Sequence, residues 1–201
     1  MKNVILLLSS LLLFLCSTEM VAQKLSKDVK ASNINTVDAV GNKINLNKLL
    51  KSNEKVLICF FRPVWCAICN KRTHELIERY DELKKKGIEV IAVYPSNQET
   101  MAQYVKDAKI PFTVISDPEE VIYKKYAVER SKEKLAATPK AEGFKAEYEE
   151  GQKLFAGKSY AKKTEKYDAI INADFLIGTK RVLEVGYYGE YIGDHYSLDK
   201  L

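Results

Sequence analysis

The sequence predicts an α/β fold, a central mixed sheet with helices on both faces, and three observations predict it. Two near-continuous apolar runs of strand length, "KVLICFFR" (55–62) and "IEVIAVYP" (88–95), read as strands covered on both faces. Segments with apolar residues at helical spacing alternate with such strands, the pattern of parallel pairing through right-handed crossovers. A last pair of β-rich runs, 169–178 and 181–189, is separated only by Thr179-Lys180 and reads as a closing antiparallel hairpin.

Taken in order, residues 1–23 carry the pattern of an export signal. Lys2 supplies the positive start, Val4–Leu15 the apolar stretch and Met20–Gln23 a small-residue exit. The apolar run falls short of the roughly 20 residues a spanning helix needs. Leu15 is large where a lipid-anchoring signal at Cys16 wants a small residue. The expectation is an exported protein, periplasmic or secreted, that meets the membrane only through this signal.

The remainder, 24–201, suits one domain. The whole chain has 201 residues, 46% hydrophobic and 29% charged, ordinary values for a single core. Lys2 and Glu19 leave together, so the net charge of +5 stays with the mature chain. It is spread through Lys/Glu mixtures without an aromatic-interleaved basic stripe, which argues against nucleic acid as a partner.

Alternating short runs around Val40-Gly41-Asn42-Lys43 predict a hairpin, with Asn45 as N-cap of a short helical turn over Leu46–Leu50. After the strand at 55–62, which Pro63 ends, Ile68, Leu76, Ile77, Tyr80 and Leu83 predict one helix from Cys66 to a C-cap at Gly87. A second helix follows at 97–109, a strand at 111–117, and a third helix at 118–128 with Pro118 near its first turn. The Lys/Glu/Ala-rich segment 129–167 breaks this rhythm. It reads as an exposed helical insertion whose aromatics, Phe144, Tyr148 and Phe155, dock on the core, with a lid over a site as the functional alternative. Ser197 is the expected N-cap of a short final helix.

Loss of Cys16 with the signal leaves Cys59, Cys66 and Cys69, which suits one pair and one single thiol. Cys66 and Cys69 form a C-x-x-C, which can clamp half a zinc ion, staple a turn or shuttle two electrons. Its placement is informative: Cys66 follows a buried strand and begins a helix, where free backbone N–H groups favour a thiolate. In such settings a thiol pKa falls from about 8.5 toward roughly 3.5–7.5. Cys69, one turn further in on the same face, is placed to resolve a mixed disulfide. Trp65 offers an apolar wall, and Arg62 or Lys71 positive potential. Zinc requires four ligands, whereas the mature chain adds only Cys59, a core strand residue, with His74 and His195. His195 reads as a hydrogen-bonded turn residue. Copper or haem delivery through the two thiols stays open.

With strand, "WCAIC" and helix in place, the chain resembles thioredoxin-fold proteins, and most the peroxiredoxin-like branch of the alkyl hydroperoxide reductase/thiol-specific antioxidant family. The resemblance runs from about Asn33 to Leu201, interrupted by 129–167. It is carried by "NTVDAVGNKINLNKLL", "CFFRPVWCAICNKRTHEL", "PFTVISDPEEVIYKKYAV" and "ADFLIGTKRVLEVGYYGEYIGDHYSLDKL", including Tyr188-Gly189 and Asp194-His195. It implies a thioredoxin-like fold and a redox cycle of Cys66 and Cys69 between dithiol and disulfide, without a further cofactor. The substrate would be a peroxide or a protein or small-molecule disulfide, and an external thiol the electron donor. Trp65, Arg62, Pro63, Asn172 and Ala173 would line the substrate groove. The chain also departs from the family. The Pro and the Thr or Ser that usually precede the peroxidatic cysteine by seven and three residues are replaced, before Cys66, by Cys59 and Pro63; before Cys69 by Arg62 and Cys66. Asn172-Ala173 stands where thioredoxins carry a cis-proline, which predicts a trans bond and an altered groove. These departures motivate the alternative reading, a non-catalytic member of the fold that delivers metal or binds a partner.

Overall fold

The computed structural model describes residues 23–161 and 169–201. Residues 1–22 of the expected export signal, with Cys16, and the 162–168 part of the insertion lie outside the described residues.

The chain opens with a small hairpin, β1 (Asn35–Val37) and β2 (Lys43–Asn45), antiparallel with Thr36 opposite Ile44. Asp38 shapes its turn by accepting from the Val40 and Asn42 amides, and Gly41 supplies the positive φ of +95°. Asn45 then caps α1 (Leu46–Ser52), its side chain accepting from the Lys48 amide as expected.

Five strands form the main sheet: β3 (Lys55–Phe60), β4 (Ile88–Tyr94), β5 (Thr113–Ser116), β6 (Ala173–Ile177) and β7 (Leu183–Tyr188), in the order β5-β4-β3-β6-β7. β3, β4 and β5 run parallel, whereas β6 lies antiparallel to β3 and β7 antiparallel to β6. The sheet is therefore mixed, as expected, with β3 at its centre. The side-chain period of two splits the core into two layers. Val56, Ile58 and Phe60 face one layer with Ile91, Val93, Phe175 and Tyr126; Leu57 and Cys59 face the other with Ala92, Tyr94, Leu76 and Cys69.

Helices cover both layers: α2 (Ala67–Glu78), α3 (Tyr80–Lys85), α4 (Gln98–Ala108) and α5 (Val121–Lys125). Two differ from the sequence expectation. The single helix from Cys66 to Gly87 is two, divided at Arg79 (φ −98°, ψ 3°), which ties the break to Glu82 and Asp199 through its side chain. The helix expected at 118–128 shrinks to α5 because the buried Asp117 carboxylate captures the amides of Val121, Ile122 and Tyr123, setting the first turn after Pro118 instead of on it. The expected final helix is a single 3-10 turn, Leu198–Lys200, with Ser197 at its N-cap as expected.

The insertion forms α6 (Lys132–Ala137) and α7 (Phe144–Leu154). It does not stand away from the body. Phe155 and Tyr160 reach the core, and α7 lies along α2. That contact closes over the N-terminal end of α2.

Three amides satisfied by one carboxylate make Asp117 a strong test of this account. Asp117→Ala should lower unfolding free energy by about 1–3 kcal/mol without changing the urea m-value, read from equilibrium denaturation.

Candidate active site

The site is built where β3 runs out. Pro63 ends the ladder, and the loop it begins is pinned on several sides. The Val64 amide donates to Ser96 Oγ at 3.0 Å, and the Asn70 side-chain amide donates to the carbonyls of Val64 (2.7 Å) and Cys66 (3.0 Å). The Tyr123 hydroxyl lies 2.6 Å from the Phe61 carbonyl and 2.8 Å from that of Val93. Pro63 itself accepts from the Cys66 amide at 2.9 Å.

Cys66 is thereby held as the N-cap of α2, in extended backbone conformation (φ −76°, ψ 113°). Cys66 is 4% exposed, and Cys69, one turn on, is fully buried; neither is in a disulfide. The thiol of Cys69 donates to Cys66, and this, against burial and with the help of the Arg62 guanidinium, brings the Cys66 pKa down to about 6. Arg62 Nη1 stands 3.6 Å from Cys66 Sγ. The reverse holds for Cys69, whose pKa burial and the neighbouring Cys66 push well up. One sulfur is the anion and the other its proton-bearing neighbour.

Of the two cations the sequence offered, Arg62 does this work. Lys71 instead points across to Glu150 of α7, at 3.7 Å. Trp65 lies beside the guanidinium, whose carbon is 5.4 Å from the indole centroid. Asn172 is buried against Cys69 and does not line the cavity: its side-chain amide lies 3.8 Å from Cys69 Sγ and donates to Phe60 O, while its Oδ1 accepts from the Gly193 amide at 3.0 Å. Ala173 is not in the groove. As the first residue of β6 it alternates with Asp174, and its side chain belongs to the layer on the far side of the sheet. Pro63 contributes its carbonyl to the Cys66 turn and no wall of the cavity. No cis peptide bond occurs among the described residues.

Above Cys66 is a cavity of about 190 Å³. Its floor is Arg62, Trp65, Cys66 and the first turn of α2; its roof is Leu135, Thr138, Pro139, Phe144 and Tyr148 from the insertion, with Ile192 from the C-terminal loop. Residues of the insertion thus line the cavity, and its aromatics divide: Phe155 packs in the core while Phe144 and Tyr148 face the cavity. The periodicity of Phe144 and Tyr148 was visible, but nothing in it named the surface they meet. Leu135, Thr138 and Ile192 had no signal of their own.

Beneath the pair lies a buried polar group. Asp174 accepts from the Tyr196 amide at 2.7 Å and pairs with His195 Nδ1 at 3.0 Å. Burial pushes the Asp174 carboxyl up, yet His195, Arg72 and the Tyr196 amide outweigh it and hold it below the ordinary range. Cys59, opposite Asp174 in the ladder, is shifted the other way by burial and by that carboxylate. His195 is hydrogen-bonded, as expected, and its side chain is buried, with its ring tilted against Phe61 at 5.4 Å between centroids. Asp194, its neighbour in sequence, turns away to accept from Tyr187 and the Glu190 amide. Among the described residues no three His, Cys, Asp or Glu side chains are grouped to hold a metal ion.

The model of the AhpC/TSA family matches residues 26–185. The chain belongs to the AhpC/TSA family. Peroxiredoxin Bcp of Escherichia coli K12 is 23% identical over 147 residues, 73% of this chain and 75% of the relative. Peroxiredoxin Q of Oryza sativa subsp. japonica is 28% identical over 108 residues, and the chain spans about half (49%) of that relative's length. Among solved structures, peroxidoxin BcpB from Mycobacterium tuberculosis superposes with a TM-score of 0.60 at 14% identity, covering 84% of this chain and 88% of the other. This AhpC/TSA protein is a peroxiredoxin-like, thiol-based oxidoreductase. Its family's chemistry is carried by cysteine sulfur and not by a prosthetic group.

Because a thiolate reacts and a thiol does not, alkylation of Cys66 should climb between about pH 5 and pH 7 with a midpoint near 6. Replacing Arg62 with Leu removes a cation that favours the anion, so the midpoint should move up, to roughly 7–8. Mass-resolved alkylation across a pH series measures both.

Proposed function

We propose that the protein is an exported thiol peroxidase in which Cys66 attacks a small hydroperoxide and Cys69 resolves the product. One observation carries the reading. The sulfur of lowered pKa, paired with Arg62, sits at the bottom of a roofed cavity too small for a protein chain to enter.

The cycle balances as follows. The Cys66 thiolate attacks the distal peroxide oxygen; an S–O bond forms, the O–O bond breaks, and the alkoxide or hydroxide leaves. Arg62, 3.6 Å from the sulfur, is placed to stabilise the charge that grows on the leaving oxygen. This role replaces the hydroxyl that the family usually places three residues before the cysteine. Proton uptake completes the alcohol or water, and Cys66 is left as a sulfenic acid. Cys69 then attacks that sulfur, its proton and the hydroxyl leave as water, and a Cys66–Cys69 disulfide remains. An external dithiol returns two electrons and two protons through exchange. Since Cys69 is held as a thiol, it needs deprotonation only at the second step, after Cys66 has lost its charge.

The enclosure favours peroxide over a protein disulfide as oxidant. A protein disulfide would have to lay its backbone against Cys66, where the residues of the roof stand in its way; a short apolar tail of a hydroperoxide would be met by Leu135, Phe144 and Ile192. Export rests on the signal-like residues 1–23, and sequencing the N-terminus of protein recovered from the producing cell tests it.

Stopped-flow mixing of reduced protein with hydrogen peroxide, a short alkyl hydroperoxide and a model protein disulfide tests the rest. Cys66→Ser should reduce peroxide consumption to the background of a free thiol. Cys69→Ser should keep the first, single-turnover step and accumulate sulfenic acid. Faster reaction with the protein disulfide than with either peroxide would reject the assignment.

A further inference from the structure

The insertion does more than sit near the site. α7 has 11 residues, a length at which an isolated helix is marginal in water, so its seat on α2 decides where it stands. That seat is a backbone contact. A Cβ at Gly151 would stand 2.0 Å from the Ala67 carbonyl oxygen and 2.6 Å from its carbon, so only glycine lets α7 approach the first turn of α2 this closely. The Lys71–Glu150 pair beside it is long, at 3.7 Å, and half open to water, and contributes little. At the other end of the roof the insertion is fastened to the C-terminal loop: the Ile192 amide donates to Thr138 Oγ1 at 3.0 Å, and Lys134 Nζ donates to the Gly189 carbonyl at 3.0 Å and pairs with Glu190 at 3.1 Å. Between these two attachments the roof holds Phe144 and Tyr148 over Cys66.

We propose that the segment from α6 to α7 is a size-selecting lid, and that Gly151 is the positioning residue that sets how tightly it closes. Seated, it admits a small reactant to Cys66 and excludes protein-sized ones. Lifted from Ala67, it exposes the sulfur. The proposal rests on the assignment of Cys66 as the reacting sulfur. In the reduced state, protein-sized partners reach the sulfur only in proportion to the population of the lifted form.

Gly151→Ala leaves the helix intact, since alanine is the better helix former, but cannot be accommodated without moving α7 away from Ala67. The test uses two reagents of one chemistry and different size, N-ethylmaleimide and a polyethylene-glycol-tethered maleimide, on the full reduced protein, with modification of Cys66 resolved by mass spectrometry. In the wild type the tethered reagent should react at least about tenfold more slowly than N-ethylmaleimide, beyond the ratio found for a free thiol. In Gly151→Ala the tethered reagent should gain at least about tenfold, while N-ethylmaleimide and hydrogen peroxide change by less than about threefold. Circular dichroism establishes that the variant is folded. If it is not, the double variant Thr138→Val/Lys134→Met, which cuts the bonds to Ile192, Gly189 and Glu190, takes its place with the same expected gain for the tethered reagent. Equal size discrimination in wild type and folded variant overturns the lid. Peroxide consumption on the same samples separates the two ideas: its absence with size selection intact rejects the peroxidase reading and leaves the lid standing, and its presence without size selection rejects the lid alone.

Discussion

A sulfur anion on a residue as buried as Cys66 is tolerable only beside a partner that offsets its lost hydration, and this constraint organises the site. Burial alone would keep Cys66 a thiol. The Cys69 thiol and the Arg62 guanidinium reverse that. Both must be held still to do so, because an unfavourable charge relaxes by protonation as soon as its partners drift. The pins on the loop follow: Asn70 against the carbonyls of Val64 and Cys66, Ser96 against the Val64 amide, Tyr123 against Phe61. They fix the strand-to-helix turn without using either sulfur. The roof adds to the effect, since excluding water strengthens the attraction between guanidinium and thiolate.

Sheet order makes the rest of the site possible. Placing β6 beside β3 brings Asn172, the residue before β6, against Cys69, and puts Asp174 on the face that carries Cys59 and the α2 layer. The alternation of β6 is strict: Ala173 and Phe175 pack on the far layer, Asp174 and Leu176 on the near one. A shift of one residue would bury Phe175 under the cysteines and send the carboxylate to the opposite core. The Asp174–His195 pair, with Arg72 holding the Tyr196 carbonyl, ties the C-terminal loop beneath α2. That same loop carries Ile192 and Gly193, which reach the roof and Asn172. The charged layer under the cysteines and the cover above them are thus joined through one short stretch of chain.

What could be read from the sequence follows from the range of the interactions involved. Apolar runs and local caps are short-range, so β3, β4, the hairpin at Gly41 and the Asn45 cap were legible, as was the C-x-x-C at a strand-to-helix junction. Arg62 and Lys71 were indistinguishable because the choice depends on α7, which captures Lys71 through Glu150. The division at Arg79 and the short α5 were missed because a side chain, Arg79 or Asp117, overrode the helical periodicity around it. Asp174 and His195 are 21 positions apart, and no pattern joins them until the strands pair. The stripe of Phe144 and Tyr148 announced a contact face; that it would meet the active site and not a bare part of the core is tertiary information.

The spacing of the two cysteines and the presence of the roof belong to one physical solution. A resolving thiol on a distant segment would have to travel to the sulfenic acid, and a closed cover would obstruct it. With Cys69 one turn behind Cys66 on α2, the proposed oxidation and resolution need only side-chain rotation, which the cavity permits while closed. Reset differs, since an external dithiol must approach the disulfide. A small dithiol meets the same size limit as the substrate, whereas a protein donor must await the lifted form. In the proposed cycle the cover therefore places its cost on the reductive half, and the oxidative half runs beneath the roof beside the Arg62 guanidinium.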